Sequence, residues 1–388
     1  MNDITIDKTG WKKCRFGEVA IQTKGVVDID NTDLTRYVAG EHMISEDIHL
    51  RKWGNVGDGY LGPAFIRRFS KGDILYGSRR TYLKKVALAD FNGITANTTF
   101  VIKANEELIE PILLVHLMLS DKFTEYSVQN SRGSVNPYIN WKDIADYEFL
   151  LPPKAEQKRL AELLWTADEV VEKEKREREK AIALFDQQKT NLIWDAQFPL
   201  GKLNDVTAIG LKDGDWIESK DQSESGIRLI QLADIGDGYF INKSKRFINE
   251  DTFKRLHCFE VFPNDILLAR MPDPIGRSCV LPQLEERCIT AVDVCIIRVD
   301  RTKHNIKYIN YLINTPIFRK TVIEQSSGTT RQRISRSNLE KMSIPLPSNK
   351  IQDSIAESIT QTEDIILTLQ KQIEVSQHIK QELINKIF

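Results

Sequence analysis

The chain repeats itself, and that repetition constrains its fold more than any other feature of the sequence. Gly133-Ser-Val-Asn-Pro-Tyr-Ile139, Trp141-Lys-Asp-Ile144 and Phe149-Leu-Leu-Pro-Pro153 line up with Gly328-Thr-Thr-Arg-Gln-Arg-Ile334, Ser337-Asn-Leu-Glu340 and Ile344-Pro-Leu-Pro347 at a separation of about 195 residues. Earlier in each half, Lys71-Gly-Asp-Ile-Leu75 answers Pro263-Asn-Asp-Ile-Leu267 at a separation of 192, and Val56-Gly-Asp-Gly-Tyr60 answers Ile235-Gly-Asp-Gly-Tyr239 at 179. A drifting separation is what two diverged copies with unequal loops produce. Two copies of one sequence fold as two similar domains.

Within each copy a globular part precedes a long helix. Thr98-Thr-Phe-Val-Ile102 and Cys295-Ile-Ile-Arg-Val299 are short β-branched runs that read as strands. The segments from Pro111 to Leu119 and from Ile306 to Ile313 carry helical apolar spacing. Long helices then begin after Pro152-Pro153 and Pro345-Leu-Pro347, since proline sits well just before or at a first turn. The first, from about Ala155 to Ala196, keeps heptad spacing at Leu160, Leu163, Ala167, Val170, Ala181 and Leu184. The second, from about Ile351 to Phe388, aligns Ile355, Ile359, Ile366, Leu369, Ile373, Leu383 and Ile387. The expected fold is therefore α/β (α+β): two similar domains, 1–152 and 199–347, with a helical spacer at 153–198 and a second helix at 348–388, the helices pairing as an antiparallel coiled coil. At about 1.5 Å per residue such helices are roughly 60 Å long, more than one turn of B-DNA.

Composition excludes the extreme classes. With 388 residues, 41% hydrophobic and 28% charged, the chain reads as an ordinary folded protein of two or three domains. It has no apolar run long enough to span a bilayer and a polar start, so a cytoplasmic location is expected. Five cysteines without CxxC spacing fit a reducing compartment, either as packed free thiols or, for the four in the second half, as metal ligands. Net charge is −1, but the cations cluster. From Arg301 to Ser337 the sole acid is Glu324, among Arg301, Lys303, Lys307, Arg319, Lys320, Arg331, Arg333 and Arg336. A second cluster comprises Arg67, Arg68, Lys71, Arg79, Arg80, Lys84 and Lys85. Local excess of this kind neutralises phosphate even in a balanced chain, although scattered solvated charge gives the same counts.

At the junctions the sequence resembles a known family. The run from Gly133 to Leu150, followed by Leu151-Pro-Pro-Lys-Ala-Glu-Gln-Lys-Arg-Leu-Ala161, is similar to the join between recognition domain and conserved helix in specificity subunits of type I restriction-modification systems. Lys71-Gly-Asp-Ile-Leu75, Ser78-Arg-Arg80 and Val86-Ala-Leu88 resemble that family's domain core. The second copy departs from the pattern, with Pro347-Ser348 for Pro-Pro and Ile351-Gln352 for Glu-Gln. The resemblance implies two target-recognition domains, each reading one half of a split double-stranded DNA site. It implies helices that set the gap and dock methyltransferase (modification) subunits, which restriction translocase subunits join. S-adenosylmethionine, ATP and Mg belong, by the same resemblance, to those partners.

Base reading needs directional donors and acceptors on loops, and phosphate holding needs cations and hydroxyls. The candidate DNA contacts are Ser78, Arg79, Arg80, Tyr82, Arg132, Ser134, Asn136 and Tyr138 in the first copy. In the second they are Arg270, Arg277, Thr329, Thr330, Arg331, Gln332 and Arg333, with Asp273 on the same loop as the first two. No catalytic or metal-binding residue is expected. Asn136-Pro-Tyr138 lacks the second proline of a methyltransferase loop, Gly57-Asp-Gly59 has no GxGxxG context, and GxxxxGK[ST] and HExxH are absent. The alternative reading is a coiled-coil scaffold or assembly protein whose duplicated domains bind protein.

Overall fold

The structure, a computed structural model, describes residues 6–272, 274–328 and 331–388. The chain divides into two units, Met1–Arg176 with Gln370–Phe388, and Glu177–Leu369. Each holds one domain, one part of a first long helix, Lys154–Ile193, and one part of a second, Asn349–Ile387.

The two domains share one topology. In the first unit a four-stranded antiparallel sheet runs Ala20–Thr23, Thr99–Ala104, Ile74–Gly77, Val86–Leu88. A second sheet runs Gly54–Asn55, Arg36–Val38, Gly93–Thr95, Arg67–Phe69, with Arg36–Val38 and Gly93–Thr95 parallel. In the second unit the counterparts are Lys212–Asp213, Val294–Ile297, Ile266–Ala269, Ser278–Val280, and Phe247–Ile248, Ile227–Ile230, Cys288–Thr290, Glu260–Val261. The parallel step recurs between Ile227–Ile230 and Cys288–Thr290. A two-stranded ladder closes each domain at the helix, Lys12–Arg15 with Glu148–Leu151 and Leu200–Lys202 with Ser343–Pro345.

The matched turns explain why the repeat survives there. Gly72 and Asn264 both adopt positive φ, +91° and +75°, a conformation that Gly reaches without strain and Asn reaches more readily than most residues. The next residue is Asp in both, and its carboxylate accepts the backbone N–H three residues back, Ser70 at 2.7 Å and Phe262 at 2.9 Å. The Gly-Asp-Gly-Tyr match has no such basis. Residues 56–60 follow the strand Gly54–Asn55, whereas 235–239 precede its counterpart Phe247–Ile248. That pairing is a coincidence of turn composition and is removed from the repeat.

Cores differ in texture. In the first unit Phe16, Phe123 and Tyr147 form an aromatic cluster with ring centroids 5.0 Å apart at each step, the first pair tilted and the second edge-on. In the second, Ile266, Leu268, Ile297, Ile309, Leu312 and Phe318 are fully buried. Burying each such side chain stabilises by about 1.5–3 kcal/mol. All five cysteines are buried free thiols, and burial pushes Cys295 up to about 12.

The long helices pack within each unit as antiparallel segments. In the first unit Leu160 and Leu164 share a core with Leu383, Ile384 and Ile387, and Asp168 meets Lys380. In the second, Ile193 shares a core with Ile355, Ala356 and Ile359, and Gln188 bonds Ser358 and Thr362 at 3.0 and 2.7 Å. The seam of the first helix differs from the heptad expected of it. Leu163, Val170 and Leu184 are exposed, whereas Leu160, Leu164, Asp168 and Val171 are buried. A polar seam residue displaced the apparent register. Each helix start is held by an equivalent glutamine: Gln157 accepts from Glu110 N–H and donates to Pro152, and Gln352 accepts from Asn305 N–H and donates to Pro347. Glu156 adds a bond from Trp11 Nε1 at 3.0 Å, and Ile351 cannot replace it in the second copy.

Candidate nucleic-acid interface

In the first unit two loops are stitched side by side. Arg132 and Tyr138 exchange both backbone hydrogen bonds, at 2.8 and 2.9 Å. Ile139 N–H then donates to the Ser78 carbonyl, and Arg80 N–H to the Pro137 carbonyl at 2.7 Å. Two positive-φ residues make the corners, Gly133 at +89° and Arg80 at +49°, and the Arg80 guanidinium donates to the Asn136 amide oxygen at 3.2 Å. The outcome is a polar surface on which Arg79, Arg80, Tyr82, Arg132, Ser134 and Tyr138 are exposed and Asn136 is half-buried. Ser78 is buried, its hydroxyl donating to the Thr98 carbonyl at 2.7 Å, so it shapes the loop from beneath.

Beside this surface lies a cleft of about 440 Å³ lined by Gln22, Lys24, Arg67, Arg79, Asn97 and Tyr138, among others. Among the described residues, Lys24, Arg67 and Arg79 face no carboxylate within ion-pair distance. Arg132 does, with Asp143 at 3.5 Å. Sequence reasoning missed Gln22, Lys24 and Asn97, because each is a lone polar residue on a strand end or turn. It counted Arg67 in a basic cluster without placing it. Other members of that cluster serve the fold, Lys84 pairing with Glu46 and Asp121, and Lys85 donating to the Gly40 carbonyl.

The second unit repeats the stitch. Ser327 and Arg333 exchange backbone hydrogen bonds at 3.0 and 2.9 Å, Ile334 N–H donates to the Arg270 carbonyl, and Gly328 turns at φ +100°. Arg331, Gln332 and Arg333 are exposed, Arg333 pairing with Asp293 at 3.0 Å. Thr329, Thr330 and Asp273 lie outside the described residues. Arg270 and Arg277, expected on the surface, are placed inside the domain. Arg277 is 7% exposed and donates to the carbonyls of Ile235, Leu232 and Pro274. Arg270 is 4% exposed, donates to the Val292 carbonyl at 2.6 Å and pairs with Asp213 at 3.2 Å. Arginine suits this buried work because five N–H donors can satisfy several loop carbonyls at once.

Among the described residues one cluster has the spacing of metal ligands: a ligand atom from each of Asp47, His49 and Glu172 lies within 4.8 Å of the others. Its charge is already met. Arg51 donates to both Asp47 and Glu172, at 2.7 and 2.5 Å, and Lys175 approaches both. Burial raises the two carboxyls, but these cations outweigh it and hold them low.

Two domains of one topology, each presenting a stitched cationic loop, frame the comparison with known proteins. The family described as "Type I restriction modification DNA specificity domain" matches residues 8–183 and 198–377. The chain belongs to that family. It is a specificity subunit carrying two recognition domains, the non-catalytic component of such systems. Among specificity subunits it is similar to the MjaVIII subunit of Methanocaldococcus jannaschii, 22% identical over 314 residues, covering 76% of this chain and 73% of that one. The MjaIX subunit of the same organism is 23% identical over 355 residues, covering 86% and 80%. A chain from a solved type I restriction-modification system matches with TM-score 0.67 at 20% identity, over 98% of this chain and 97% of that one. The type I S subunit from M. genitalium matches with TM-score 0.53 at 14% identity, over 100% and 97%. At these identities the structural likeness speaks for the fold. Among the described residues no helix is long and apolar enough to cross a membrane.

Proposed function

We propose that this chain selects the DNA site of a type I restriction-modification complex, each recognition domain reading one half of a split double-stranded sequence. The observation that carries this reading is the recurrence of one stitched loop, Arg132 to Tyr138 and Ser327 to Arg333, with exposed polar and cationic side chains in both units. Such loops have the donors that read base edges and hold phosphates. The long helices set the gap between half-sites and dock methyltransferase subunits, through which restriction translocase subunits join. Apolar residues left exposed on them, Leu163 and Val170 in the first unit and Leu184, Ile365 and Leu367 in the second, support a docking role. S-adenosylmethionine, ATP and Mg act in those partners, and the assembly works in the cytoplasm.

Co-expression with methyltransferase subunits of the same genome, followed by single-molecule mapping of methylated bases, tests this. A two-part motif that requires this chain is expected, and Arg331→Ala with Arg333→Ala alters its second half alone. Methylation that ignores the chain, together with DNA binding that ignores salt, would favour the scaffold reading instead.

A further inference from the structure

The two recognition domains place opposite charge at one structural position. In the first unit Thr23 pairs with Val101, and Leu75 also pairs with Val101. In the second Lys212 pairs with Ile296, and Leu267 also pairs with Ile296. The ladders therefore equate Thr23 with Lys212, and the next residues, Lys24 and Asp213, occupy the same place. Two further equivalences surround it. Ser78 and Arg270 are the residues whose carbonyls receive Ile139 and Ile334 N–H. Trp141 and Arg336 are the first residues of the short helices Trp141–Ala145 and Arg336–Lys341.

The consequences diverge. In the first unit Lys24, Ser78 and Trp141 line an open cleft that also receives Arg67 and Arg79. In the second, Asp213 draws both cations onto itself, Arg270 at 3.2 Å and Arg336 at 3.6 Å, and Arg336 also meets Glu340 at 3.3 Å. Arg333 is held by Asp293. Arg331 is left as the exposed loop arginine with no carboxylate partner among the described residues. Phosphate is drawn to cations whose field is uncancelled, and each phosphate neutralised releases counterions.

Resting on the DNA-reading function proposed above, we infer that the two recognition domains grip DNA unequally. The first takes phosphate through Lys24, Arg67 and Arg79. The second closes the equivalent place with Asp213 and contacts DNA through the loop at Arg331. Phosphate neutralisation, and with it salt sensitivity, comes mainly from the first domain.

The test uses the full chain and a labelled duplex of arbitrary sequence, with affinity measured from about 50 to 200 mM KCl, a range over which each lost phosphate contact changes the affinity ratio about threefold. Lys24→Gln, Arg67→Gln and Arg79→Gln combined should flatten the plot of log affinity against log salt by about two to three, and Arg331→Gln by about one at most. Asp213→Asn should tighten binding about threefold at the lowest salt. Lys24→Gln alone, at an exposed position, should flatten the slope by about one and guards against misfolding of the triple variant, with circular dichroism as the check. An unchanged slope in the first-domain variants, or unchanged affinity in Asp213→Asn, overturns the inference while leaving the DNA-reading function intact. Wild-type binding without salt dependence overturns both.

Discussion

The carboxylate of Asp168 on the first long helix lies 2.8 Å from the ammonium of Lys380 on the second, with both side chains under one-tenth exposed. The other Asp168 oxygen is 2.6 Å from His49 of the first domain. Burial opposes the charge on Asp168, but the hydrogen bond from His49 and the charge of Lys380 outweigh it and hold the carboxyl well below its usual range. One carboxylate thus ties both helices to the domain.

Removing one member should cost more than removing the charge altogether. Lys380→Ala leaves Asp168 buried and half-satisfied, and is expected to cost about 3–5 kcal/mol, whereas Asp168→Asn with Lys380→Met keeps volume and costs less. Urea denaturation of the three proteins, compared by midpoint and slope, measures this. A double variant as unstable as Lys380→Ala would contradict the account.

The same network makes stability depend on pH. The hydrogen bond that His49 donates to Asp168 raises His49 above 6.5 despite burial, so its contribution is complete below that value and is lost as pH rises through the folded pKa. Asp168, held low, contributes above 3.8 and loses its contribution only as pH falls through its folded pKa. Thermal midpoints should therefore decline from pH 6 towards pH 9, and His49→Gln should flatten that decline.

In the second unit, burial pushes Asp215 up to about 6, against a lowering bond from Phe259 N–H. Its ionised form is disfavoured by folding, so stability falls as pH rises from 3.8 through 6. Asp215→Asn keeps an acceptor for Phe259 and should stabilise by about 1 kcal/mol at pH 8, after discounting for solvent screening. At pH 4 the gain should vanish, and melting curves at the two values decide it.

Gly328 and Gly133 offer a graded test of the stitched loops. A Cβ on Gly328 would sit 2.6 Å from the Arg331 carbonyl at φ +100°, whereas one on Gly133 finds nothing nearer than 3.9 Å at φ +89°. Gly328→Ala should cost about 1–3 kcal/mol of local strain and displace Arg331. The second half of the methylated motif should blur with the first half intact, and Gly133→Ala should have the milder effect on the first half. Mapping methylated bases in both variants reads this out.

Much of the fold is legible from local pattern. The separation of about 195 residues recovered the loops at Gly133 and Gly328, and apolar spacing with the flanking prolines recovered the short helix Ile306–Ile313 and both long helices. These signals rest on backbone demands, positive φ and helical apolar spacing, that act within a few residues. The Gly-Asp-Gly-Tyr pairing shows the limit, since turn composition recurs wherever a chain reverses, whatever strand it serves.

What the sequence alone determined was the duplication, the order of domain and helix, and the equivalent turns at Gly133 and Gly328, because each is written in neighbouring residues. Only the tertiary structure decided the fate of the charges. Arg270 and Arg277 read like Arg79 and Arg80 on paper, yet loop carbonyls and Asp213 arrive from distant strands to bury them. The duplication even conserves a place while exchanging its chemistry. His116, Asp168 and Lys380 of the first unit correspond, 195 residues on or back, to Tyr311, Glu363 and Phe185 of the second. There the Tyr311 hydroxyl donates to Glu363 at 2.7 Å and its ring meets Phe185 edge-on. Whether a charged side chain faces solvent, a carbonyl or an opposite charge depends on groups brought near by folding, and spacing along the chain does not encode that proximity.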